Sequence, residues 1–203
     1  MATSNRTAGV MVNLSEIAEI RAGHAFRGAI TPAQDADSRV IQIRDVDQQR
    51  GVDWEGLECC TITARKEPDW LQVGDIVFQA RGRKNFAVCL TELPCNKVVC
   101  TQHFFVLRVH DERFSPTFIE WQLNQSGAQR HFELNTPDVN TRHITLATLN
   151  ATPVVLADQA MQQQLHQLVT LARKEQLLFE ALMRTRQQQM AAVASQILGE
   201  DTA

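Results

Sequence analysis

No apolar run in the sequence approaches the roughly 18 residues needed to cross a bilayer as a helix, and the opening stretch MATSNRTAGVMVNLSEIAEI lacks the apolar core of a secretory signal. A cytoplasmic protein with no membrane partner is expected. The five cysteines, Cys59, Cys60, Cys89, Cys95 and Cys100, form no Cys-x-x-Cys pair and have no His at finger spacing. Buried free thiols are the expectation, in place of a metal site. There is no G-x-G-x-x-G, no Walker loop, no G-x-S-x-G and no H-E-x-x-H, and the six histidines are scattered. Nor is any Glu or Asp separated by one residue from a following lysine, the E-x-K spacing in which nuclease acid clusters usually end. With no catalytic constellation in view, the chain is not expected to be an enzyme.

What the sequence does hold divides in two. Its 203 residues, 44% apolar and 21% charged, suffice for one domain with an appendage. Residues 158–198 contain neither Pro nor Gly and consist largely of Ala, Leu, Gln, Met, Glu and Arg, all good helix formers. Asp158 stands where an N-cap belongs, Pro153 argues against helix before it, and Gly199 stands where a C-cap belongs. One continuous helix of about 60 Å is predicted, with 199–203 as a tail. Met161, Leu165, Leu168, Ala172, Phe179 and Leu182 follow the spacings of a coiled-coil seam, interrupted by Glu175. Beyond Leu182 the register shifts through Arg186, Met190, Val193 and Ile197, which locally unwinds a supercoil. A helix this long needs a partner, and a short two-helix pairing or a mixed bundle suits the imperfect seam. The competing arrangement lays the helix across its own domain, which its length would outrun.

Residues 14–157 read as short strands and turns, after a loose arm at 1–13. RVIQIRDV alternates apolar and polar, LQVGDIVFQA is a strand after a Gly turn, FAVCL and HFFVLRV are strands, and TPVVL is extended. Helical pieces are predicted in LSEIAEI, in SPTFIEWQLN with Pro116 at its entry, and around LATLN. Phe118, Trp121 and Leu123 read as core. The class is α+β.

Charge gives a mixed message. The net charge of -3 divides into -2 up to Ala157 (16 cations, 18 anions) and -1 beyond it (4 and 5), so neither part is basic overall. Sixteen of the 20 cations are Arg, which either reflects genome composition or supplies planar forks for phosphate and guanine. Three cations, Arg81, Arg83 and Lys84, crowd round Gly82 in GDIVFQARGRKN. On its residues alone this loop is either a solvated turn tied to Asp75 or Glu55, or a nucleic-acid contact.

The order of segments carries a resemblance. LSEIAEIRAGHAFRG, VIQIRDV, LQVGDIVFQARG, QHFFVLRV, SPTFIEWQLN and RHITLATLNATPVVLADQAMQQQLHQLV follow one another into the long helix. Over residues 14–197 this resembles the DNA specificity (S) subunit of type I restriction-modification systems. Each motif is weak alone, and their order is what is specific.

The resemblance implies a mixed α/β target recognition domain with a curved β core at 14–157, followed by a spacer helix at 158–198 that pairs antiparallel, coiled-coil-like. S subunits carry two such units in tandem. This sequence holds one, which implies a half-size form that pairs with a second copy through Leu165, Leu168, Ala172, Phe179, Leu182, Met190, Val193 and Ile197. Such a homodimer would read a bipartite palindrome in double-stranded DNA. DNA contacts would come from Arg81, Arg83, Lys84 and Asn85, from Arg21, His24 and Arg27 of the opening loop, and from Asn140, Thr141, Arg142 and His143 before the last short helix. Arg44 either joins them or pairs with Asp45 or Asp47. Modification (methyltransferase) and restriction subunits would be the protein partners, and S-adenosylmethionine and ATP/Mg would bind to them, with no cofactor in this chain. A coiled-coil adaptor that docks proteins without reading DNA is the competing reading.

Overall fold

The computed structural model describes residues 10–26, 28–33, 36–62, 68–136 and 143–198. The chain divides into two compact units, Met1–Gln163 and Gln164–Ala203.

Strand β1 (Met11–Asn13) runs into a single helical turn, α1 (Leu14–Ile17), and directly into β2 (Ala18–Ala22). The helix expected through LSEIAEI is thus cut short. Glu16 accepts the backbone N–H of Asn13 at 2.8 Å, a contact that favours helix initiation. Residues 18–22 then pair one for one with five residues of a later strand, and the sheet takes them. Strand β3 (Ser38–Ile41) likewise gives way to a 3-10 turn, Ile43–Asp45, where a continuous alternating strand was expected. The Asp45 carboxylate holds that turn by accepting the Gln42 N–H at 2.8 Å.

The chain continues through β4 (Val46–Asp47), β5 (Gly51–Val52), β6 (Glu58–Cys60), β7 (Ile76–Gln79), β8 (Ala87–Cys89), β9 (Val98–Cys100) and β10 (Phe104–Val109). Three helices follow, α2 (Pro116–Leu123), α3 (Ser126–Leu134) and α4 (Leu146–Asn150), then β11 (Pro153–Val155) and the long α5 (Gln159–Leu198). The central sheet has four antiparallel strands in the order β2-β10-β7-β8. A second sheet, β6-β3-β9, contains one parallel pair, β3 with β9.

Both faces of the central sheet are covered. Ile76, Phe78 and Leu107 pack with Ile119 and Leu123 of α2 and Phe132 of α3, while Val77 and Val106 pack with Ile41 and Val98 of the second sheet. All four residues of β7 are buried in consequence, so its sequence shows no period-two alternation. Helix α3 was invisible to sequence reading. Only Ala128 and Phe132, one turn apart, are buried, and its other large apolar residue, Leu134, is exposed.

Two carboxamides on α2 and its end fasten it to strands. Asn124 gives and takes one hydrogen bond with the backbone of Ala87, both at 2.9 Å, which satisfies part of the outer edge of β8. Gln122 does the same for Val155, donating at 2.9 Å and accepting at 2.8 Å. Phe118 and Leu123 are buried and Trp121 is half-buried, stacked on Phe118. Asp158 caps α5 as expected, its carboxylate accepting the Met161 N–H at 2.8 Å. All five cysteines are free; Cys60 and Cys100 are buried, and burial pushes the Cys100 thiol up to about 12. Among the described residues, no helix is long and apolar enough to cross a membrane.

Candidate nucleic-acid interface

The Arg81–Lys84 cations lie on the loop that joins β7 to β8, at the edge of the central sheet. Two hydrogen bonds set the loop's base. The Gln79 carboxamide donates to the Lys84 carbonyl and the Asn85 carboxamide donates to the Gln79 carbonyl, both at 3.1 Å. Gly82 has φ +131, and a Cβ there would lie 2.6 Å from the Gln79 amide nitrogen, so the turn needs glycine. This geometry leaves Arg81, Arg83 and Lys84 exposed, and none forms an ion pair or side-chain hydrogen bond among the described residues. Asp75 does not tie them down. It is 1% exposed and is gripped by the Arg108 guanidinium at 2.8 and 2.7 Å.

Segments far apart in sequence meet at the root of this loop. The Ala80 N–H donates to the His103 carbonyl, and the Ala80 carbonyl accepts from the Ile144 N–H, both at 3.0 Å. His24 donates its N–H to Cys100 at 2.7 Å and forms a bridge with Thr101. Gly23 before it donates to Phe104 at 2.9 Å. A Cβ at Gly23 would come within 2.2 Å of the Thr101 carbonyl, so only glycine permits this approach. The opening loop, the cationic loop, the turn between β9 and β10 and the segment before α4 therefore share one end of the central sheet. No periodicity announces this, because each contact is a backbone hydrogen bond between segments distant in sequence.

A cleft of about 350 Å³ lies beside that turn, lined among others by His24, Phe26, Arg44, Thr101, Gln102 and His103. The His24 and Phe26 rings meet edge to face at 4.8 Å. The Thr101 hydroxyl and His103 Nδ1 are buried and have no hydrogen-bond partner among the described residues. Sequence reading passed over Thr101, Gln102 and His103, since a short turn between two strands carries no signal of its own. Among the described residues, no cluster of three or more His, Cys, Asp or Glu could hold a metal ion.

Other sequence candidates stand differently from their expected settings. Arg21 is in strand β2, not on a loop, and its guanidinium pairs with Asp69 at 2.5 Å and reaches Asp75 at 4.0 Å. Arg44 sits in the 3-10 turn and pairs with Glu58 and, at 3.5 Å, with Asp45; Glu58 also accepts from Gln42 at 2.9 Å. Its partners are those two carboxylates, and Asp47 is not among its ion pairs. Burial raises the Asp45 carboxyl above its usual range against the opposing pull of the Gln42 N–H and Arg44. Asn85 is half-buried and committed to the loop's own backbone. His143 is half-buried next to Ile144. Arg27, Asn140, Thr141 and Arg142 lie outside the described residues, as do residues 1–9 and 199–203.

On α5, Leu168, Phe179, Leu182, Met190, Val193 and Ile197 are more than half or about half exposed, and Ala172 is exposed with them. Leu165 is half-buried. Leu171, Leu177, Leu178 and Met183 are exposed as well, so the apolar stripe is broader than the predicted seam.

No protein-family model and no curated protein matches the chain. Solved structures do. The HsdS subunit from Thermoanaerobacter tengcongensis superposes with a TM-score of 0.58 at 14% identity, over 90% of this chain and 41% of its own. A chain of a type I R-M system, solved to explain its complex assembly and conformational transition, superposes at 0.54 with 16% identity, over 97% of this chain and 49% of its own. This chain thus spans less than half the length of each. It has the mixed α+β fold with a long C-terminal helix that the resemblance implied.

Proposed function

We propose that this chain is the sequence-specific DNA-recognition subunit of a type I restriction-modification system. Residues 14–157 read one DNA half-site and 158–198 form a spacer helix. The observation that carries the proposal is the set of exposed cations, Arg81, Arg83 and Lys84, which form no ion pair among the described residues, on a loop whose root also holds the His24 and His143 segments, in a fold shared with HsdS. Guanidinium forks suit guanine edges in the major groove and an ammonium suits phosphate. Arg21 and Arg44, already paired with carboxylates, contribute to this surface by holding it in shape.

The exposed apolar stripe of α5 supports association with a second copy, which would place two identical recognition domains on an inverted repeat. With a net charge of -3 and only a local cationic patch, affinity is shared with partner subunits. These are modification subunits carrying S-adenosylmethionine and a restriction subunit using ATP, so the chain itself is non-catalytic.

Sequencing of methylated bases in the host, with and without this gene, tests the proposal. Loss of one bipartite palindromic motif is the expected result, and Arg81→Glu/Arg83→Glu should reproduce it. An unchanged methylome while the methyltransferase is expressed would sink the DNA-reading role in favour of an adaptor that docks proteins only.

A further inference from the structure

We infer that the cleft beside the β9–β10 turn is a nucleobase pocket, taking one unpaired base from a nucleic-acid strand. The inference rests on the DNA-recognition reading for the source of that base.

Its volume of about 350 Å³ is near the lower end of small-ligand sites, which run from ~300 to ~1,000 Å³. Phe26 and two imidazoles, His24 and His103, are among the residues that line it. Aromatic and histidine faces are the surfaces on which unstacked bases rest. Hydrogen bonding to a base edge is available from Thr101. The residue is 7% exposed, lines the cleft, and its hydroxyl has no partner among the described residues. His103 Nδ1 is in the same condition, and a buried polar atom left unpaired is costly unless something arrives to pair it.

Charge decides against a simple anion site. Among the described residues of the lining, Arg44 is the sole permanent charge, and it is paired with Glu58 and Asp45. A neutral planar ring with donor and acceptor edges fits better than a phosphate or carboxylate. The pocket's turn is also hydrogen-bonded through His103 to Ala80, at the root of the cationic loop. A strand backbone held by Arg81 and Lys84 thereby has a base-sized recess on the adjoining segment.

The test follows the amide and imidazole NMR signals of His24, Thr101 and His103 in the full chain. Probes are deoxyadenosine, deoxycytidine, deoxyguanosine and thymidine, then a single-stranded oligonucleotide, then a fully paired duplex. At least one nucleoside should shift these signals, and the single strand should do so at lower concentration. Thr101→Val, which removes no hydrogen bond among the described residues and so should fold, is expected to weaken that binding about tenfold, the worth of roughly one hydrogen bond. Gln102→Ala, at an exposed position, provides a second variant. Arg81→Glu/Arg83→Glu should weaken strand binding and leave the nucleoside shifts unchanged. Duplex binding with no shift at His24, Thr101 or His103 from any nucleoside or strand overturns the pocket and leaves DNA recognition standing. Nucleoside shifts without binding of any strand overturn both the capture of a base from a strand and the DNA reading.

Discussion

The side-chain carbonyl of Gln162 accepts the backbone N–H of Ser115 at 2.8 Å, and its amide group donates to the Arg113 and Ala157 carbonyls at the same distance. One buried carboxamide in the first turn of α5 thus satisfies the backbone around the start of α2. Gln162→Ala would leave those groups unpaired in a site that is 4% exposed. The expected loss is about 2–3 kcal/mol of unfolding free energy, measured by urea denaturation. A change below a few tenths would mean that water replaces the amide without cost.

The Asp75–Arg108 pair gives a second expectation. Asp75 is 1% exposed and takes two hydrogen bonds from Arg108 and one from the Gln72 N–H. Arg108→Ala strands a buried carboxylate and should cost about 3–5 kcal/mol. Asp75→Asn/Arg108→Ala should cost less than the two single changes added, by about 1–3 kcal/mol. Simple additivity in the double-mutant cycle would show that the two side chains act independently.

Gly23→Ala probes the meeting point of the recognition loops. Its methyl group would drive against the Thr101 and Cys100 carbonyls, at 2.2 and 2.8 Å, which are backbone and cannot rotate away. Destabilisation of about 1–3 kcal/mol is expected, with NMR shifts concentrated in residues 100–104. A neutral substitution would contradict the close approach.

Association through α5 is tested by Phe179→Glu combined with Leu182→Glu. Both side chains are more than half exposed in the single chain, so the folded unit at Met1–Gln163 should be unaffected. Sedimentation should show a dimer for the parent chain and a monomer for the variant. Persistence of the dimer would place the contact elsewhere.

Asp111 sets a pH dependence. Hydrogen bonds from the Arg113 guanidinium, then from its N–H, lower the carboxyl from 3.8 to about 2. Because the folded value lies below the unfolded one, this contribution is full above pH 3.8 and is lost as pH falls towards about 2. A carboxyl NMR titration should find the midpoint at about 2, and Arg113→Ala should raise it towards 3.8. An unchanged midpoint in the variant would remove Arg113 as the cause.

Much of the architecture follows from local chemistry alone. The absence of Pro and Gly from 159–198, with Asp158 before it, determines one long helix, because capping and propensity act within a few residues. Pro116 starts α2 from its first position for the same reason, and Gly82 marks a turn that only glycine closes. The cationic loop was legible too, as charge beside an apolar run. Sheet pairing decided the rest. LSEIAEI has helix-forming composition, yet β10 captures its second half; RVIQIRDV alternates, yet Asp45 folds its end into a 3-10 turn. Arg21 looked free in sequence and is paired with Asp69, 48 positions away; Arg44, for which Asp45 was one of the open partners, pairs with Asp45 and also with Glu58, 14 positions away. The gathering of Gly23, Ala80, His103 and Ile144 depends on backbone hydrogen bonds between distant loops, which side-chain identity does not encode and only the tertiary fold sets.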